Sequence, residues 1–388
     1  AFTNTQIQNF SSSTRMTGYT NSSSIAKDML TLANEKKTVA NLNSSYEWLG
    51  YQTYLLDSVN GVFSSLLDTK RTIKQTRDVV TKGRVNELNF SYAYSYKDKF
   101  YFGVSLGIPR VEYTSTTKHI ENDDKDSVRI GFTSSNTYTT TFIDGLPFLS
   151  TVYNTILGFN SLTYTEYFKT QGSGVNLKLG GVARINDALR LGFYYHTPTL
   201  YNLSDTYYNK MSTTFDYDRS KTYESTYPEK GGYFDYRIVT PSRIGLNSCF
   251  IIQKRGLIAL DYELTNYRNA QLGSDNVSDF IGVNALIKNK YKIGHTIKLG
   301  GEINVKPILI RFGYVTQGSP FGDVFTGSFV RNTLSLGFGF RSKSKWYVDF
   351  VWAESFSSEN YYLFTTLDTK AKLNYASSTF AATIGIKF

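Results

Sequence analysis

The chain has 388 residues, with 31 Tyr, 27 Phe, 42 Lys and Arg against 32 Asp and Glu, and a formal charge of +10. A lone Cys249 excludes an intrachain disulfide framework and a cysteine-rich metal site, and three scattered histidines (His119, His196, His295) leave no histidine metal cluster. The basic residues are dispersed, without a basic helix or an RNA-binding signature, so nucleic acid is not an expected partner. No run of about 18 apolar residues occurs, which excludes a helical membrane protein.

In chain order, Phe2–Phe10 reads as a short first strand. Ile25, Met29, Leu30 and Leu32 then come near helical spacing, followed by the apolar group Val62, Phe63, Leu66 and Leu67. From Leu88 a strict alternation sets in: Leu88, Phe90, Tyr92, Tyr94 and Tyr96 are separated by small or polar residues. After a tight Lys97-Asp98-Lys99 turn it resumes at Phe100, Phe102, Val104, Leu106 and Ile108. The same pattern recurs at Val175, Leu177 and Leu179, then after Asn186-Asp187 at Leu189, Leu191, Phe193 and Tyr195. It returns at Ile244, Leu246 and Phe250, and after Lys254-Arg255-Gly256 at Ile258, Leu260, Tyr262 and Leu264. Ile297, Leu299 and Ile303 turn near Pro307 into Ile308, Ile310, Phe312 and Tyr314. Leu334, Leu336, Phe338 and Phe340 turn near Ser344 into Trp346, Val348, Phe350 and Trp352. Phe380, Ala382, Ile384, Ile386 and Phe388 close the chain.

Segments of about 9–12 residues with period-two alternation suit strands that cross a bilayer, apolar on the lipid side and polar on the other. Short polar turns alternate with long connections at roughly 12–84, 116–161, 199–233, 273–290, 318–328 and 357–374, an asymmetry that places the long loops outside the cell. The expected fold is therefore all-β: a single transmembrane antiparallel β-barrel over residues 1–388, of about 12 strands, with short helices in its long extracellular loops. On the side opposite the apolar rows lie Lys178, Arg190, Arg243, Asp261, Glu263, Lys298, Glu302, Arg311 and Asp349. Both signs are present, so ion pairing across a polar interior is expected rather than a one-sign ion filter.

The second long loop is the candidate ligand site. Phe142, Ile143, Leu146, Phe148, Leu149, Val152, Tyr153, Ile156 and Leu157 crowd together there, and from Pro147 onward the spacing fits one face of a helix. An apolar loop helix has to bury that face against another loop, a ligand or a partner protein. Glu121, Asp123, Asp124 and Asp126 surround Lys125, but not at the spacing of a calcium loop, so solvated loop charge is expected and no metal or cofactor. His196 has no nucleophile motif beside it, neither Gly-x-Ser-x-Gly nor His-Glu-x-x-His, so no enzyme is expected.

Taken in order, several segments resemble the FadL/TodX outer-membrane transporters of hydrophobic compounds, in the form common in Bacteroidetes. These are Tyr101–Pro109 (YFGVSLGIP), Gly172–Gly180 (GSGVNLKLG), and Leu189–Phe193 (LRLGF) continuing into His196–Tyr201 (HTPTLY). Thr240-Pro241, Asp261-Tyr262-Glu263, and Arg311–Tyr314 (RFGY) running to Ser319-Pro320-Phe321 complete the set. The resemblance implies a barrel of fourteen strands with an N-terminal hatch carrying Asn-Pro-Ala. Neither hatch nor motif is found here, so Phe2–Phe10 is expected to match the third family strand, in a chain lacking the hatch and first two strands; the rival expectation is a twelve-strand barrel without a hatch. A terminal aromatic strand also looks like the closing strand of an outer-membrane barrel, and with no signal peptide visible a processed or truncated chain is expected.

What the resemblance implies for function is passive uptake of hydrophobic small molecules, such as long-chain fatty acids or other lipids, across the bacterial outer membrane. Expected partners are outer-membrane lipids, lipopolysaccharide and the hydrophobic ligand. The alternative is a barrel subunit of a larger outer-membrane secretion or assembly complex, with other outer-membrane proteins as partners.

Overall fold

The computed structural model describes residues 1–65, 67, 72–125, 129–130, 142–143, 146–147, 157–216, 218–253, 255–322, 330–342, 346–361 and 371–386. β1 (Phe2–Asn9) and β2 (Ser12–Thr20) lie end to end along one long strand, with Phe2 opposite Phe90 and Thr20 opposite Ile73. Next come α1 (Ile25–Lys36), α2 (Glu47–Gln52) and the small hairpin of β3 (Asp57–Val59) and β4 (Val62–Ser64). β5 (Ile73–Tyr96) and β6 (Phe100–Asn122) form a hairpin over Lys97, Asp98 and Lys99, in which Lys97 and Asp98 both have positive φ and the Lys99 N–H donates to the Tyr96 carbonyl at 3.1 Å. β7 (Arg129–Ile130) pairs with the start of β10 (Leu157–Arg184), and β8 (Phe142–Ile143) pairs with β9 (Leu146–Pro147).

β10 pairs with β6 on one edge. On the other it carries β11 (Leu189–His196) and β12 (Leu200–Phe215) end to end. The break between them falls at Thr197-Pro198, since proline has no N–H to give the ladder. β13 (Asp218–Val239) and β14 (Arg243–Ile252) repeat the arrangement in the next column, broken at Thr240-Pro241. The two breaks sit side by side: the Thr199 N–H donates to Thr240 Oγ1 at 2.9 Å, and the Thr240 N–H to the Thr199 carbonyl at 3.0 Å. β15 (Gly256–Asn266), β16 (Gln271–Gly273), α3 (Ile281–Lys290) and the meander β17 (Ile293–Val305), β18 (Ile308–Gln317), β19 (Arg331–Arg341), β20 (Trp346–Tyr361) and β21 (Ala371–Ile386) finish the chain.

Among the described residues these strands make one antiparallel sheet of 17 members, with β3–β4 and β8–β9 as separate two-stranded hairpins. The expected closed barrel of about 12 strands is not what forms. Among the described residues β21 pairs with β20 alone, and β1 and β2 pair with β5 alone, so the ladder is open at both ends. Alternation assigns each residue to a face, but it carries no information about which outer edges meet. The strand number differs because breaks such as Thr197-Pro198 divide one column into two elements.

The apolar rows read from the sequence are the exposed face of this sheet. Phe100, Phe102, Val104, Leu106 and Ile108 on β6 are all exposed, as are Leu334, Leu336 and Phe338 on β19. The buried core lies elsewhere. α1, α2 and β4 pack Ile25, Met29, Leu49 and Phe63 against Phe159, Leu162, Met211 and Phe215, near one end of β10 and β12. Ile25, Met29 and Leu30 therefore do lie on a helix. The strands also run on through stretches the pattern placed in loops: β10 alone has 28 residues. At ~3.3 Å per residue this is roughly three times the length that crosses a bilayer. Among the described residues no helix is long and apolar enough to cross a membrane.

Candidate functional site

The face opposite the apolar rows gathers the charges. Lys298 on β17 stands across the ladder from Asp261 on β15, at 3.3 Å, and reaches Glu263 at 3.5 Å. The Tyr194 hydroxyl, from β11, joins the same cluster by donating to Glu263 at 2.7 Å. Its ring crosses the column of β14 over Gly245, where an added Cβ would lie 2.1 Å from the ring. One hairpin further on, Arg311 faces Glu302 across the β17–β18 ladder, with Nε donating to Glu302 at 2.7 Å and Nη1 to Asp349 at 2.6 Å. Arg341 holds both oxygens of Asp349 at 3.0 Å. A third cluster joins β5 to β10: Lys178 donates to Glu87, and Asn176 donates to the same carboxylate at 2.8 Å.

Of the nine charges expected on the polar face, Lys178, Asp261, Glu263, Lys298, Glu302, Arg311 and Asp349 pair with one another or with Glu87 or Arg341, on the face of an open sheet rather than in the expected closed interior. Tyr194, Glu87, Asn176 and Arg341 were not singled out, though parity would have found them. Tyr194 lies between the outward Phe193 and Tyr195, Glu87 precedes Leu88, Asn176 lies between Val175 and Leu177, and Arg341 follows Phe340.

Beside the Arg311 cluster lies an open hollow of about 530 Å³. Glu302, Arg311 and Asp349 line it together with small or aliphatic neighbours such as Ala259, Ser335 and Ala381. This volume falls within the range that holds a small organic molecule. With the carboxylates and guanidiniums satisfied by each other, the remaining wall offers methyl and hydroxyl contacts rather than a free charge.

The helical cap is fastened by a second polar centre that sequence reasoning missed. Glu121, expected as a solvated loop charge, is fully buried at the end of β6, and so is His119. Its carboxylate accepts hydrogen bonds from Ser24 Oγ at 2.5 Å, the Ile25 N–H at 2.8 Å and Gln75 Nε2 at 2.7 Å, and lies 3.0 Å from His119 Nε2. Placed at the N-terminus of α1, it also faces the positive end of the helix dipole. Tyr46 donates to Asp28 at 2.6 Å, and burial with this carboxylate holds its phenol far above the ordinary tyrosine range. Asp124 accepts from Tyr19 at 2.8 Å, whereas Asp126 lies outside the described residues. Among the described residues no group of three or more His, Cys, Asp and Glu is placed to hold a metal ion.

Of the apolar second-loop residues, Phe142, Ile143 and Leu146 belong to the β8–β9 hairpin, and Leu157 opens β10 opposite Ile130. Leu157 is therefore a strand residue and not the end of a helix. Phe148, Leu149, Val152, Tyr153 and Ile156 lie outside the described residues. His196 ends β11 with its ring 5.2 Å from that of Tyr194, and His295 lies 2.7 Å from the Tyr262 hydroxyl.

No protein-family model matches the chain, and no curated protein matches it. Among solved structures it is distantly similar to a FadL homologue of Pseudomonas aeruginosa, with 15% identity over 80% of this chain and 73% of that one, at a TM-score of 0.48. The CymD monoaromatic hydrocarbon channel matches at 12% identity over 86% and 85% of the two chains, with a TM-score of 0.46. The toluene transporter TbuX of Ralstonia pickettii matches at 12% identity over 84% and 81%, with a TM-score of 0.43. Likenesses this loose decide neither fold nor function; the residues and their geometry have to.

Proposed function

We propose that this chain is an outer-membrane protein of the FadL/TodX kind, in its Bacteroidetes form, that passes hydrophobic small molecules such as long-chain fatty acids or other lipids. The observation that carries the reading is the exposed apolar face. On strand after strand, about nine residues present every second side chain; in the row from Phe100 to Ile108 every one is exposed, and in the other rows most are exposed and the rest half-buried. Each large apolar side chain left in water forgoes about 1.5–3 kcal/mol of burial, so a row repeated across a sheet needs hydrocarbon beside it. The opposite face carries paired charges and an open hollow with mostly uncharged walls, which suits passage of a neutral or weakly polar solute better than ion selection.

In this reading Phe142, Ile143, Leu146, Phe148, Leu149, Val152, Tyr153, Ile156 and Leu157 form the landing surface that first captures the ligand. Membrane lipids, lipopolysaccharide among them, surround the apolar face. The test is uptake of a radiolabelled long-chain fatty acid by cells carrying the intact gene, a deletion, or Phe142→Ser, Ile143→Ser and Leu146→Ser together. Deletion is expected to abolish the saturable component, and the triple variant to lower it about tenfold, in line with the loss of roughly 1.4 kcal/mol of contact. Equal uptake in all strains, with no apolar molecule found by mass spectrometry in the purified protein, would overturn the proposal.

A further inference from the structure

At the end of the polar face away from the Arg311 cluster, toward the long connections, lies a second open hollow of about 280 Å³. Four neighbouring strands, β18 to β21, supply its floor. Gln317 ends β18, Arg331 opens β19 opposite it, and Ser357 and Glu359 near the end of β20 stand opposite Tyr375 and Leu373 of β21. Counting by twos, Gln317 shares a face with Arg311, Arg331 with Arg341, and Glu359 with Asp349, so this floor continues the polar face.

The walls are aromatic and fixed. Tyr267 lies over Gly294, where an added Cβ would come within 2.5 Å of the ring. Pro320 and Phe321 are tied to the chain entering β17 by backbone bonds on either side. The Gly318 N–H donates to the His295 carbonyl at 2.8 Å, the Lys292 N–H to the Pro320 carbonyl at 2.9 Å, and the Gly322 N–H to the Lys290 carbonyl at 2.7 Å. From the floor, Tyr375 donates its hydroxyl to Glu359 at 2.8 Å.

Charge sets this hollow apart. Lower on the same face Arg311 and Arg341 both meet carboxylates. Here Arg331 and Glu359 line one hollow and stay apart; among the described residues Arg331 meets no acid and Glu359 no base. A guanidinium offers phosphate or carboxylate a planar fork. A carboxylate in a hollow walled by the rings of Tyr267, Phe321 and Tyr375 suits an ammonium group, which aromatic faces also attract. An anion alone would be repelled by Glu359, and a cation alone by Arg331. A molecule bearing both charges satisfies the two residues together.

We infer that this hollow binds the zwitterionic headgroup of a lipid, with the phosphate on Arg331 and the ammonium between Glu359 and the rings. The volume is small for a ligand site, enough for a headgroup but not for its acyl chain. The inference rests on the reading that the chain passes hydrophobic molecules, and it narrows them to amphiphiles that are neutral overall but carry both charges.

Probes that share a hexyl tail and differ in the head test this by calorimetric titration of the full chain in dodecyl maltoside. Hexylphosphocholine is expected to bind about tenfold more tightly than hexyl phosphate, hexyltrimethylammonium, hexyl glucoside or tailless phosphocholine. Arg331→Gln and Glu359→Gln should each weaken hexylphosphocholine about tenfold, with opposite side effects. Glu359→Gln should strengthen hexyl phosphate, and Arg331→Gln should strengthen hexyltrimethylammonium, a split that a damaged fold does not produce. Equal affinity for tailless phosphocholine would assign the hollow to a soluble solute, and equal affinity for all the tailed probes would show that only the tail is held. Either result overturns the inference. Saturable fatty-acid uptake is measured separately: if it persists while hexylphosphocholine does not bind, the inference alone fails, and if both are absent the transport reading fails with it.

Discussion

The Glu121 carboxylate accepts the backbone N–H of Ile25 at 2.8 Å, across 96 residues of sequence. A strand thereby caps a helix, and the first turn of α1 is fixed to the sheet by a group that the helix does not itself supply. Ser24, Gln75 and His119 converge on the same carboxylate in a fully buried setting.

Truncation of Glu121 follows as the first prediction. Glu121→Ala leaves these donors facing an apolar void, and removing one side of a buried charged network costs about 3–5 kcal/mol. The cap is expected to melt ahead of the sheet, so calorimetry of the detergent-solubilised variant should show two transitions. Proteolysis between α1 and α2 should also accelerate. A single transition at the original temperature would mean that the apolar cluster around Met29 and Leu49 holds the cap alone.

The different legibility of these features has a physical cause. The rows at Phe100–Ile108 and Leu334–Phe340 were readable because a strand with two unlike faces writes period two into its sequence. Glu302 and Arg311 were readable as a pair from their parity on either side of the turn at Pro307. Glu121 was not, because β6 continues to Asn122 through Thr114, Ser115, Thr116 and Thr117, which show no apolar alternation. Pairing with β5 on one edge and β10 on the other holds that stretch in the sheet. An open ladder was equally hidden, since pairing between first and last strands depends on register over the whole sheet. The apolar second loop was legible as composition only.

A second prediction concerns Gly245. Its missing side chain leaves the passage through which Tyr194 reaches Glu263, and a Cβ there would meet the ring at 2.1 Å. Gly245→Ala should swing the ring aside, break the hydrogen bond and cost about 1–3 kcal/mol. In a Tyr194→Ala background the same substitution should cost much less, because nothing remains to be displaced. Equal costs in the two backgrounds, measured by thermal melting, would show that the ring does not depend on Gly245.

Arg311 bridges Glu302 and Asp349, but only Asp349 has a further guanidinium in Arg341. Arg311→Gln is therefore expected to hurt chiefly through Glu302, and Glu302→Gln in the same chain should recover part of the loss. A double-mutant cycle on melting free energies should give a coupling of about 0.5–3 kcal/mol between the two residues. Additive losses would mean that water already screens the pair.

Asp205 supplies a pH dependence of defined sign. It lies on β12 beyond the exposed apolar rows and is buried, accepting from Thr170 Oγ1 at 2.7 Å and from the Tyr236 hydroxyl at 3.2 Å. Burial raises its pKa above the ordinary carboxylate value, although both hydrogen bonds pull the other way. The folded chain thus holds this proton more tightly than the unfolded chain does. Its contribution to stability is full below about pH 4, the ordinary aspartate range, and is lost as pH rises through the raised folded value. Asp205→Asn cannot ionise, so its melting temperature should fall less than that of the unaltered chain when pH is raised from about 4 to 7. Parallel curves for the two proteins would show that Asp205 ionises in the folded state as freely as in the unfolded one.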